Sequence, residues 1–175
     1  MIDGLLEYAR VGRQDSQLEL VAVADLLTEV IESLGYPLGT RIAPPPTFKL
    51  DIASGMPTLV TNRLLLSQVF ANLISNAFKH HDRSDGCIQV SSRELGEFYE
   101  FKIVDDGPGI APEQRDRVFV IFQAVNPQKN PDSTGIGLSI VKKIVETVGG
   151  RIWLESVLGK GTTFYFTWPM RLANG

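Results

Sequence analysis

A chain of 175 residues with a net charge of −3 and a pI near 5.4 has the length for one ordinary domain plus an appendage. It lacks the basic surplus of a nucleic-acid binder, and its apolar runs fall short of the roughly 20 residues that span a bilayer. With no signal-peptide pattern and one cysteine, Cys87, the chain reads as soluble and cytoplasmic without a disulfide framework, though a membrane-anchored parent stays compatible.

Ile2, Leu5, Leu6 and Ala9 recur at helical spacing over 1–12, with no capping residue ahead, as in the end of a longer helix. A second helix is predicted over 24–34, where Leu26, Leu27, Val30, Ile31 and Leu34 form one apolar stripe and Gly35 is the stop. Pro44-Pro45-Pro46 imposes an extended connection, and 48–52 alternates like a half-buried strand. Asn62 is placed to cap a long helix reaching about residue 80, with Leu65, Val69, Leu73 and Ala77 on its apolar side.

Strands over 87–92 and 98–104 join through Leu95-Gly96-Glu97, with Cys87 as a core residue of the first. Segment 106–134 is rich in Gly, Pro, Asn and Asp, with a short helical piece near 113–122; a connection of that length reads as a functional lid or a partly disordered stretch. A helix over 137–148 carries Leu138, Val141, Ile144, Val145 and Val148 and ends at Gly149-Gly150. A closing hairpin pairs 151–156 with 162–168 through Gly159-Lys160-Gly161. Helices and strands mix without regular alternation. The expected fold is therefore an α+β two-layer sandwich, one mixed and mostly antiparallel sheet with three helices on a single face.

Several polar residues stand where chemistry is expected. Asn72, Asn76, Lys79 and His80 share one helix face; on an isolated helix a solvated polar stripe is the plainer reading, but here the stripe borders a strongly apolar helix. Asp105 follows a strand and precedes Gly107 and Gly109, a pattern that suits either a carboxylate acceptor with close backbone approach or a simple Asp-Gly turn. Phe119 and Phe122 have the spacing of an amphipathic helix core. Gly135 and Gly137 open a helix whose first N–H groups suit phosphate. The adjacent His80 and His81 are poorly spaced for zinc.

Four segments appear in a fixed order: Asn72-Leu73-Ile74-Ser75-Asn76-Ala77-Phe78-Lys79-His80, Asp105-Asp106-Gly107-Pro108-Gly109-Ile110, Val118-Phe119-Val120-Ile121-Phe122 and Thr134-Gly135-Ile136-Gly137-Leu138. Together they closely resemble the N box, first glycine box, F box and second glycine box of the catalytic, ATP-binding domain of sensor histidine kinases. That domain has the Bergerat-type fold shared with gyrase and the heat-shock chaperone. The resemblance covers about 23–169.

It implies ATP and Mg²⁺ as ligands, with Asn76 on the metal, Lys79 and His80 near the phosphates and Asp105 on the adenine amino group. Asn72, Gly107, Gly109, Ile110, Phe119, Phe122, Thr134, Gly135, Ile136, Gly137, Leu138 and Thr162 complete the implied ATP pocket. In related ATPases the position of Asn72 holds a glutamate that activates water; an amide has no such basicity, so Asn72 favours a kinase over a hydrolytic enzyme. Ser133 departs from the family's usual glycine. Asp106 has no implied part and reads as solvated.

Residues 1–13 resemble the end of the second helix of the kinase dimerisation hairpin, especially in phytochrome-like kinases. The expected division is a hairpin remnant (1–13), a linker (14–22), the catalytic domain (23–170) and a tail (171–175). The phospho-acceptor histidine of the hairpin has no counterpart in the chain. Implied partners are that hairpin, which receives the γ-phosphate, and a response regulator, with a homodimeric parent and a fragment that is monomeric or weakly dimeric. The alternative is a degenerate, non-catalytic ATP-dependent switch.

Overall fold

The computed structural model describes residues 17–35, 48–83, 85–120 and 136–172. The predicted helix over 1–12, the Pro44–46 connection, residues 121–134 of the lid (Ser133 among them) and residues 173–175 lie outside them. The described elements run β1 (Glu19–Ala22), α1 (Val23–Leu34), β2 (Lys49–Ile52), β3 (Thr58–Thr61), α2 (Arg63–Lys79), β4 (Cys87–Leu95), β5 (Phe98–Asp105), α3 (Pro112–Arg115), α4 (Gly137–Thr147), β6 (Ile152–Val157) and β7 (Gly161–Pro169).

One five-stranded sheet has the order β2-β4-β5-β7-β6. Only β2 and β4 pair in parallel; the other three pairings are antiparallel. Alternation along the strands sends Ile88, Val90, Phe101, Ile103, Phe164, Phe166 and Trp168 to one buried face, where α1, α2 and α4 cover them. Phe70 of α2 is the central contact: its ring lies 5.4 Å from both Phe101 and Phe166, edge-on to each, while those two stack at 5.0 Å. Each such ring, fully buried, contributes about 1.5–3 kcal/mol.

The opposite sheet face holds flat rings and charges. Trp153 stacks on Tyr165 at 5.2 Å, Lys102 Nζ lies 5.8 Å from the Tyr165 ring, and Arg93 grips Glu100 with two bonds of 2.6 and 3.0 Å. The predicted two-layer sandwich is the observed one.

The helix boundaries follow local signals. In α1 the buried positions 23, 26, 27, 30 and 31 repeat at helical spacing, and Gly35 takes φ +63° to end the helix. In α2 the Asn62 side chain accepts from Leu65 N at 3.1 Å, satisfying one unbonded donor of the first turn.

Three features differ from expectation. Residues 19–22, placed in a linker by sequence, form β1, which pairs antiparallel with β3 in a separate two-stranded sheet. Of the helical piece expected near 113–122, the residues described up to Val120 hold a single turn, α3, after which Arg117 N and Val120 N bond the carbonyls three residues back. That tighter spacing is 3₁₀-like and does not propagate. Cys87, expected in the core, is half-buried at the start of β4.

Candidate functional site

Asp105 ends β5 and stands opposite Thr162 of β7 in the strand register. Its Oδ1 accepts from Gly107 N at 3.0 Å and from Thr162 N at 3.3 Å. Among the described residues no protein group bonds its Oδ2. Burial pushes the Asp105 carboxyl above its ordinary value, against the opposing pull of the two backbone N–H groups.

Glycines make this corner possible. A Cβ at Gly107 would lie 2.9 Å from Asp105 Oδ1, and one at Gly161 would lie 2.0 Å from the Asp105 carbonyl oxygen. At Gly109, where φ is +72°, a Cβ would meet Val157 O at 2.3 Å.

The segment after β5 lies against the β6–β7 hairpin. Ile110 N donates to Ser156 Oγ at 2.8 Å, and Gly159 N donates to Pro108 O at 2.7 Å. Ser156 is itself buried, donating to Gly161 O at 2.9 Å and sharing a 2.9 Å bond with Thr162 Oγ1. Sequence reasoning passed over Ser156, since a serine within a hairpin strand carries no positional signal.

On α2, Asn72 and Asn76 are half-buried and Lys79 is exposed, while His80 caps the helix and bonds Asn76 O through its backbone N at 3.1 Å. Burial, helped by the Lys79 charge, holds the His80 imidazole below its ordinary value, so it is neutral at pH 7. Asn72 donates through Nδ2 to Gln68 O at 2.9 Å. Its Oδ1 faces the first residue of α4: a Cβ at Gly137 would come within 2.8 Å of it. The early N–H groups of α4 have no intrahelical acceptor. Ile136 is buried beneath them and Leu138 is partly buried against the core.

The two groups are bridged by residues that sequence reasoning left without a part. His81 Nε2 bonds Asp106 Oδ1 at 2.8 Å, and Asp106 also receives Cys87 N at 2.7 Å and the Arg83 guanidinium at 2.6 Å. Asp106, expected to be merely solvated, is tied to the end of α2. Burial would raise its carboxyl, but the bonds from Cys87, His81 and Arg83 together hold it below the ordinary value. A pairing across 25 residues has no local sequence signal.

Phe119 stands apart from these clusters. Its ring meets Phe164 edge-on at 6.2 Å, and with Val120 it lines a cleft of about 540 Å³ along Ser139, Lys143 and Thr147 of α4. Phe122, Thr134 and Gly135 lie outside the described residues.

The arrangement offers an acceptor oxygen in a glycine-lined corner, two amides one turn apart, and a helix N-terminus facing the first of them. Comparison with known proteins agrees with a nucleotide site. The family of histidine kinase-, DNA gyrase B- and HSP90-like ATPases matches residues 61–172. Cyanobacterial phytochrome A of Nostoc sp. strain PCC 7120 is 40% identical over 97% of this chain and 21% of its own length. The methanogenesis regulatory histidine kinase FilI of Methanothrix harundinacea is 33% identical over 97% of this chain and 18% of its own. Full-length ShkA, solved in complex with AMPPNP, superposes with a TM-score of 0.77 at 25% identity, over 99% of this chain and 36% of that one. The chain thus spans about a fifth of the length of these curated relatives.

Proposed function

This chain belongs to the histidine kinase-, DNA gyrase B- and HSP90-like ATPase family, and on that footing we propose that it transfers the ATP γ-phosphate to a histidine on a dimerisation hairpin. It is the ATP-binding catalytic domain of the sensor histidine kinase type. The observation that carries the nucleotide assignment is the divided carboxylate of Asp105: Oδ1 is saturated by two backbone donors and Oδ2 bonds no described residue.

The fit to the ligand rests on shape as well as on donors. Side chains at 107, 109 and 161 would collide with the walls of the corner, so only glycines let its backbone segments pack this closely around Asp105. Asp105 Oδ2 accepts from the adenine amino group, with Ile110 as an apolar neighbour. Thr162 fixes Asp105 through its backbone N–H. Lys79, neutral His80 and the N-terminus of α4 at Gly137 serve the phosphates. Asn76 suits Mg²⁺, because an amide oxygen is a hard ligand and this ion takes few protein ligands beside phosphate and water. Bound there, Mg²⁺ neutralises phosphate charge. Asn72 orients at the junction of α2 and α4 and has no basicity with which to deprotonate water, which spares ATP from hydrolysis.

The reaction needs positioning above all, and the acceptor histidine belongs to the hairpin, with a response regulator as the next recipient. Residues 1–13 fit the end of that hairpin and 23–170 the catalytic domain. The proposed location is the cytoplasm; no helix among the described residues is long and apolar enough to cross a membrane.

The test incubates the chain with γ-labelled ATP, with and without the separate hairpin. Acid-labile label should appear on the hairpin histidine only, and slowly, because the effective concentration of a tethered acceptor is absent. Label on the chain alone would overturn the separation of ATP and acceptor. Measurable ATP binding with label in neither mixture would instead support a non-catalytic nucleotide switch.

A further inference from the structure

We infer that His81 is a positioning residue for adenine recognition: by holding Asp106 it fixes the loop on which Asp105 presents Oδ2. The inference rests on the reading of Asp105 as the adenine acceptor.

The His81 side chain is wholly buried although it follows an exposed helix end. An imidazole is buried only when its nitrogens are partnered. Nδ1 lies 3.1 Å from both the N–H and the carbonyl oxygen of Arg83, and because a carboxylate only accepts, Nε2 is the nitrogen that donates, to Asp106 Oδ1 at 2.8 Å. The ring is wedged by Phe48, edge-on at 5.0 Å, and by Gly86, where a Cβ would lie 2.4 Å from His81 Nε2. Space has been left for this ring in this orientation.

Asp106 is correspondingly over-determined. Besides His81, its Oδ1 takes Cys87 N at 2.7 Å, its Oδ2 takes Arg83 at 2.6 Å, and Arg83 also donates to its carbonyl oxygen at 2.8 Å. A solvated turn residue has no need of such a set. Asp106 separates Asp105 from Gly107, whose N–H holds Asp105 Oδ1 at 3.0 Å. A Cβ on Gly107 would come 3.5 Å from His81 Cδ2, so the imidazole also floors the loop beneath Gly107. The path from the end of α2 runs through His81 and Asp106 to the peptide that saturates Oδ1 of Asp105. It ties the phosphate-facing helix to the base-facing carboxylate.

A purely structural clamp and a positioning one differ in what they select. The 175-residue chain is titrated with ATP and with purine riboside 5′-triphosphate, which lacks the 6-amino group. His81→Phe fills the space without a donor; it should weaken ATP about tenfold and the amino-free analogue less than about twofold. His81→Gln, whose amide donates to Asp106, should recover most of the discrimination. Asp106→Ala removes the acceptor from a partly exposed position and should reproduce the selective loss, deciding the matter alone if His81→Phe does not fold.

Asp105→Asn is the reference and should abolish discrimination. If Asp105→Asn is selective but the His81 and Asp106 variants weaken both nucleotides equally, or neither, the positioning role is overturned. If Asp105→Asn leaves discrimination intact, the reading of Asp105 fails first and the inference with it.

Discussion

The indole N–H of Trp168 donates to Thr61 Oγ1 at 2.9 Å, joining residues 107 positions apart and both wholly buried. It fastens the two-stranded β1–β3 sheet to the end of β7. Thr61→Val keeps the shape and leaves a buried indole donor without its partner. The expected cost is about 1–3 kcal/mol of unfolding free energy in urea titrations. Adding Trp168→Phe removes the orphaned donor, so the pair should cost less than the sum of the single changes.

Asp105→Asn replaces one acceptor oxygen by an amide donor facing the adenine amino group. ATP affinity measured by calorimetry should fall by at least about 2 kcal/mol, the scale of a buried unsatisfied polar contact. Near-native affinity would remove Asp105 from the site.

The same residue sets a pH dependence. Burial raises the folded-state pKa of Asp105 above 3.8, so the stability contributed by its neutral form is present at low pH and lost as pH rises through the raised value. Nucleotide binding has the opposite dependence. With Oδ1 occupied by two N–H donors, a proton goes to Oδ2 and turns the acceptor into a donor. ATP affinity should be full above the raised pKa and fall as pH drops through it, beginning at higher pH than for an ordinary aspartate. Titrations at descending pH should show this extra loss in the native chain and not in Asp105→Asn, where ATP's own phosphate titration is common to both.

Glycines with positive φ separate into two kinds. At Gly149, φ is +83° and nothing lies within 4 Å of an added Cβ, so Gly149→Ala should cost about 1–2 kcal/mol from backbone strain alone. At Gly109 the same strain is joined by a contact of 2.3 Å with Val157 O, and Gly109→Ala should cost about 3 kcal/mol or more. Thermal unfolding of the two variants, compared at equal heating rate, checks the ranking.

The three long helices were legible because each carries a complete local signature: an apolar stripe in α1 and α4, and in α2 an Asn62 cap ahead of a buried run. The strands of the large sheet alternate clearly enough to be read. β1 and β3 were not, since four residues each, with exposed Leu20 and Val60, give too little alternation and are fixed by pairing with one another. In the site, Asp105 and its glycines were visible through spacing. Ser156, His81 and the bonded state of Asp106 were not, because their partners arrive from distant segments once the sheet has closed.

The bond from Thr162 N to Asp105 Oδ1 spans 57 residues and exists only when β7 has docked on β5. On the proposed assignment of Asp105 to adenine, loading with nucleotide is inseparable from completing the sheet: a half-closed chain has no formed corner to offer. A ligand that recognises only the closed state adds about 2.7 kcal/mol of unfolding free energy at a hundredfold excess over its Kd. On that assignment, ATP in large excess over its Kd holds the domain folded, and destabilising changes far from the corner should show their full cost only when nucleotide is withdrawn.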